Sequence, residues 1–133
     1  TPDIVFLMEG VNDCSHSLCF REPTVPTAED IFDALRDVTD RAKRQGSRVY
    51  LGTIAPFGSF GDPWREQAEA LRQDYNRLIR NSHIADGIAD MDAALRDPDD
   101  VHRMQEGFHL GDGVHPNWLG GERMADVLMK TLL

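Results

Sequence analysis

Apolar positions along this chain alternate between two periodicities. Asp3-Ile-Val-Phe-Leu-Met8 is a continuous apolar run rich in branched residues, the pattern of a central strand buried on both faces of a parallel sheet. Gly10-Val11-Asn12-Asp13 reads as the loop at its C-terminal end. Residues 14–26, with two prolines and several polar side chains, read as an irregular excursion. From residue 28 the period changes. Ile31, Phe32, Leu35, Val38 and Ala42 recur at helical spacing, with Thr27 placed as N-cap, acids in the first turn and Gly46 as the stop. Residues 48–54 form a second strand pattern, and residues 55–61 the loop leaving it. Asp62-Pro63 matches an N-cap and first-turn proline. The helix it opens runs to about Ser82 and carries Trp64, Ala68, Leu71, Tyr75, Leu78 and Ile79. Residues 86–90 make a short third strand and residues 92–96 one or two helical turns. A polar loop over 97–116 then leads to a last helix capped by Asn117, with Trp118, Leu119, Met124, Val127, Leu128 and Leu132.

Strand, helix, strand, helix, strand, loop, helix predicts an α/β fold with parallel strands and right-handed crossovers. In such sheets the ligand site lies beyond the C-terminal strand ends. Gly10 to Asp13 lie there, and the loop before the last helix can reach them. At 133 residues the chain suffices for one domain, and no internal repeat breaks it up.

Composition narrows the partners. The formal net charge is −9 and the pI near 4.8, without a Lys/Arg cluster, which argues against nucleic acid. No apolar run approaches the ~20 residues of a membrane span. The chain opens on Thr1-Pro2-Asp3 without a signal-peptide pattern or a methionine, and the expectation is of processing, trimming or a partial clone. Cys14 and Cys19 suit a small disulfide loop, and with it secretion. They have no flanking pattern for zinc. Asp97-Pro-Asp-Asp100 lacks the glycine and terminal glutamate of a calcium loop and reads as a solvated turn. His102 and His109 show no ligand spacing with each other or with His115. No metal and no cofactor is expected. The two tryptophans suit core packing or a pocket rim.

The candidate chemistry lies in Asp112-Gly113-Val114-His115-Pro116. A carboxylate three residues before a histidine can steady one ring nitrogen and leave the other to move a proton, as acyl transfer requires. Together with Gly10-Val11-Asn12-Asp13 after a buried strand, this run resembles the third and fifth blocks of the SGNH (GDSL) esterase and lipase family. Met8 to Asp13, and His115 through Gly120, look like its carbohydrate acetylesterase-like branch.

The resemblance implies a flavodoxin-like three-layer α/β/α fold and hydrolysis of small acyl esters. It implies His115 as base, Asp112 as its orienting carboxylate and Asn12 as oxyanion donor, with Gly10, Asp13 and Pro116 shaping the site. The family's Gly-Asp-Ser nucleophile block and its second glycine block have no counterpart here. The chain matches from the family's third strand onward, and the first two strands are missing.

Three readings follow. The serine is supplied from outside this chain, in which case strand 3–8 exposes an edge for a complementing peptide or a homodimer. A second nucleophile is recruited, with Ser15, Ser17, Ser59 and Cys14 nearest the motifs and Ser47 and Ser82 farther off. Or the chain is a non-catalytic acyl- or carbohydrate-binding remnant.

Overall fold

The computed structural model describes residues 1–58 and 63–133, the side chain of Pro63 excepted. Three parallel strands, β1 (Ile4–Leu7), β2 (Arg48–Gly52) and β3 (Gly87–Ala89), stand in the order β1-β2-β3. Val5 pairs with Val49 and Leu7 with Leu51, and Leu51 pairs on its other side with Ile88. This register puts one row of branched side chains on one face. Against that face lie α1 (Val11–Cys19), α2 (Ala28–Arg44) and α3 (Pro63–Asn81). Ile31, Leu35, Tyr75 and Ile79 close the core there with Val49 and Leu51.

The other face carries Tyr50 and Gly52, alternate to the first row. It receives α5 (Trp118–Leu132). A Cβ on Gly87 would meet Tyr50 Cδ1 at 2.9 Å and Thr131 Cγ2 at 3.0 Å, so glycine allows helix and ring to close on β3. The protein is thus an α/β fold with a parallel sheet, as the alternation of patterns predicts, in the three α/β/α layers that the resemblance implies.

The helix over 28–44 forms as its sequence dictates. Thr27 Oγ1 accepts from the Asp30 N–H at 3.1 Å and Asp30 accepts from the Thr27 N–H at 2.9 Å, a reciprocal capping box. The Thr27 N–H, and after it the Thr27 hydroxyl at 2.8 Å, both donate to the Asp30 carboxylate and hold it below its usual range. Gly46, at φ 93°, ends the turn.

Three expectations are corrected. Residues 11–19 are not a loop but α1, although Asn, Asp, Cys, Ser and His are all poor helix formers. Packing of Cys14 and Leu18 into the core against α3 outweighs that weak propensity. Val5, Phe6 and Leu7 are half-buried and Ile4 is exposed, because β1 stands at one margin of the described sheet rather than in its middle. The two cysteines are unbonded. Five residues apart on one helix, they point roughly 140° away from each other; Cys14 faces the core and Cys19 faces solvent. The support for secretion goes with the disulfide. Asp62, the expected N-cap of α3, lies outside the described residues.

Between β3 and α5 comes a short helix, α4 (Met91–Leu95), capped by Asp90, whose carboxylate accepts from the Ala93 N–H at 3.1 Å. No described helix is long and apolar enough to cross a membrane.

Candidate active site

The C-terminal ends of β1 and β2 open onto a cleft of about 390 Å³. Met8 follows β1; Asn12 and Ser15 come from the first turns of α1; Ile54 and Phe57 follow β2; His115 and Pro116 come from the loop before α5. The cleft therefore gathers Asn12, His115 and Pro116. Gly10 and Asp13 line a separate groove between β1, α1 and α2.

Gly10 makes the turn from strand to helix. Its φ of 117° is left-handed, and a Cβ would lie 2.7 Å from Tyr75 Cε1, so glycine is required on both counts. Two residues on, Asn12 stands in the first turn of α1 with its side chain exposed at the cleft.

Asp112 and His115 form a tight unit. His115 Nδ1 donates to Asp112 Oδ2 at 2.6 Å, while Asp112 Oδ1 accepts from the N–H groups of Val114 and His115, both at 2.9 Å. The bond from the His115 ring, then the two backbone bonds, hold the Asp112 carboxyl far below the usual carboxylate range. Asp112 therefore stays ionised and keeps the ring proton on Nδ1, which leaves Nε2 as the acceptor. The side chains of His115 and Asp112 are 71% and 45% exposed, so hydrogen bonding rather than burial sets their geometry.

The frame around this pair comes from the ends of one hairpin. His109 and Pro116 form an antiparallel bridge, with Leu110 N–H donating to the His115 carbonyl at 2.9 Å. Asn117 ties it down. Its side-chain amide donates to the carbonyls of Gly107 and His109 at 2.9 and 3.1 Å, and its oxygen accepts from Gly120 N–H at 3.0 Å. Gly120 has no room for a Cβ, which would run into the Phe108 carbonyl.

A buried ionic network fixes the opposite wall. Arg72 lies fully buried on α3, paired with Glu69 at 2.6 Å and Asp92 at 2.8 Å, and it donates to the Ile54 carbonyl at 2.8 Å. Burial alone would lower its affinity for the proton, but the two carboxylates raise it. Asn76 binds both the N–H and the carbonyl of Ile54, at 2.7 and 2.8 Å. Nothing in the sequence marks Arg72 or Asn76 as buried, since both stand in a polar run and their partners outside α3 lie 18–22 residues away.

The candidate nucleophiles divide clearly. Among the described serines, Ser15 alone lines the cleft, and its Oγ donates back to the Val11 carbonyl at 2.9 Å. Ser17 bonds Glu22, Ser47 the Pro2 carbonyl and Ser82 the Ile79 carbonyl. Ser59 lies outside the described residues. Burial first, then nearby Asp13, pushes the Cys14 thiol up to about 12, which makes it inert. No group of three His, Cys, Asp or Glu suited to a metal occurs among the described residues.

This chain belongs to the GDSL-like lipase/acylhydrolase family, whose model matches residues 1–123. Its fold is similar to that of a GDSL-like lipase from Bacteroides thetaiotaomicron, at 18% identity and a TM-score of 0.71, covering 97% of this chain and 61% of that one. An acetyl xylan esterase matches at 21% identity and a TM-score of 0.68, over 97% of this chain and 66% of that one. A variant of an acetyl-xylooligosaccharide esterase from Geobacillus matches at 21% and 0.67, over 98% and 59%. The chain spans about three fifths of the length of these structures. Comparison with curated proteins gives no match.

Proposed function

We propose that this chain supplies the base and the oxyanion donor of a carboxylic ester hydrolase, with the serine nucleophile contributed from outside these 133 residues. The observation that carries the reading is the 2.6 Å bond between His115 and Asp112, beside a cleft that also holds Asn12. His115 Nε2 takes the proton of the serine hydroxyl as its oxygen attacks the ester carbonyl. The resulting imidazolium rests against Asp112 and returns the proton to the departing alcohol. Water then enters by the same route and releases the acid. The Asn12 amide donates to the oxyanion of both tetrahedral intermediates, a contribution of ~3 kcal/mol for such a donor. Pro116 fixes the chain direction beside the base, Gly10 lets α1 start tight against β1 so that Asn12 faces the cleft, and Asp13 follows it in the first turn.

Small acyl groups, acetyl above all, on a carbohydrate or similar alcohol are the substrates we favour. Family membership and the esterases that share the fold support this choice. The exposed margin of β1 is where a complementing N-terminal peptide, or a second copy, adds its strand. One observation favours a second reading: Ser15 stands in the same cleft as His115. Its hydroxyl proton is spent on the Val11 carbonyl, so it must rotate away before it can attack.

A fluorophosphonate that traps activated serines, followed by intact mass, separates the readings. An adduct on a co-purifying or longer polypeptide, lost in His115→Ala, is the expected result. An adduct at Ser15 of the 15.0 kDa chain overturns the external serine. In the complete enzyme, Asn12→Ala lowers turnover by ~10²–10³.

A further inference from the structure

The turn that presents Asp112 is held by a side chain with no part in the chemistry above. Gly111 and Gly113 flank Asp112, both at positive φ, 97° and 73°. Glycine explores more backbone conformations than any other residue; Gly111 and Asp112 are exposed, Gly113 is half-buried, and a Cβ on either glycine would touch nothing, so packing does little to hold the turn. Hydrogen bonds do. The N–H groups of Gly111 and Gly113 both donate to His109 Nδ1, at 3.0 and 3.1 Å.

A ring nitrogen that accepts two N–H groups carries no proton. His109 is therefore neutral, with its hydrogen on Nε2. Nε2 faces Glu106 Oε2 at 3.5 Å, and the His109 side chain is only 8% exposed. His115 needs the opposite arrangement, a proton on Nδ1, to donate to Asp112. Two histidines six residues apart thus hold opposite tautomers, and one turn links them.

We propose that His109 is a positioning residue: its unprotonated Nδ1 gathers the amides on either side of Asp112 and so aims that carboxylate at His115. The role rests on reading Asp112 and His115 as orienting carboxylate and base. An acceptor at the place of Nδ1 is what matters, so asparagine, whose Oδ1 reaches nearly the same point, substitutes for it and leucine does not.

The test is ring-nitrogen NMR of the present chain labelled with ¹⁵N-histidine, at a pH where the rings are neutral. In the wild type His109 shows a bare Nδ1 and His115 a protonated one. In His109→Leu the ratio of Nδ1–H to Nε2–H forms of His115 falls about fivefold, and His109→Asn restores it. A proton on Nδ1 of wild-type His109 overturns the proposal, as does equal behaviour of the two variants. If the leucine variant does not fold, loss of the Nδ1–H form in a folded His109→Asn overturns it, and retention beside a bare wild-type His109 Nδ1 supports it. The readout needs no activity. Ester hydrolysis by the complete enzyme that survives Asp112→Asn refutes the functional reading alone and leaves the His109 geometry standing.

Discussion

Gly10 lies so close to Tyr75 that a Cβ on the glycine would stand 2.7 Å from the ring's Cε1, and 3.3 Å from Ile31 Cγ2. The Tyr75 hydroxyl then donates to the Glu9 carbonyl at 3.0 Å, tying the same turn to α3 from its other end. Gly10→Ala must strain a left-handed φ and displace a fully buried ring. Together these cost about 2–4 kcal/mol. Urea denaturation, with an unchanged m-value, is the measurement that checks it. A shift under ~1 kcal/mol, no more than the glycine-to-alanine backbone term, shows that the ring yields freely.

Arg72 ties three segments together. It joins Glu69 on its own helix, Asp92 on α4 and the Ile54 carbonyl after β2. Arg72→Met keeps the aliphatic volume but removes the one fully buried cation that Asp92 and Glu69 share, leaving Asp92 to Arg80 and Glu69 to His102. We expect a loss of about 3–5 kcal/mol, read from the denaturation midpoint. Because Ile54 lines the cleft, binding of a small ester should weaken in the same variant wherever it still folds.

Asp90 is one carboxylate through which acid acts on the fold. Burial raises the affinity of its carboxyl for a proton, but the bonds from Arg80, Ala93 and Thr53 outweigh that, and the net effect is a lowered value. A carboxyl whose native affinity lies below that of the unfolded chain stabilises the fold above pH ~3.9. That contribution disappears as pH falls through the lowered native value. Asp90→Asn is therefore less stable than the wild type at neutral pH, and the two stability curves converge in acid. Parallel curves down to pH 2 would remove Asp90 from this role.

The thiols report on α1. Cys19 is exposed and Cys14 is buried with its thiol pushed up to about 12. A disulfide-exchange reagent should label one thiol in the native protein at neutral pH and two in denaturant. Zero in both states, with two appearing only after reduction, would mean that the cysteines are bonded and that α1 is shorter than described.

What could be read from the residues was local. Thr27 as the N-cap of α2, strand patterns at 48–54 and 86–90 that contain β2 and β3, and the Asp112–His115 pair all depend on neighbours within a few positions. Asn12 was legible as a site candidate because strand ends in parallel sheets face the ligand, although the helix that carries it was not. The nine residues of α1 have weak propensity, and only their docking against α3 makes them helical. His109 looked like one histidine among five, since its role depends on two glycine amides folding back upon it. Arg72 and Asn76 looked like solvated surface because Ile54 and Asp92, which bury them, arrive from other segments.

The hairpin that carries the dyad is short in sequence. Every bond that shapes it, from Gly107 to Gly120, spans at most ten residues. Loops of that length close at small entropic cost and early in folding. Most of the cleft wall arrives from residues 8 to 65, roughly fifty to a hundred positions away, and Val114, Pro116 and Met124 complete it from the hairpin and α5. The Asp112–His115 pair and most of the cleft wall are therefore encoded in separate tracts of the chain. An engineer can redraw residues 8 to 65 of that wall, one by one, and leave the His115–Asp112 bond as it stands.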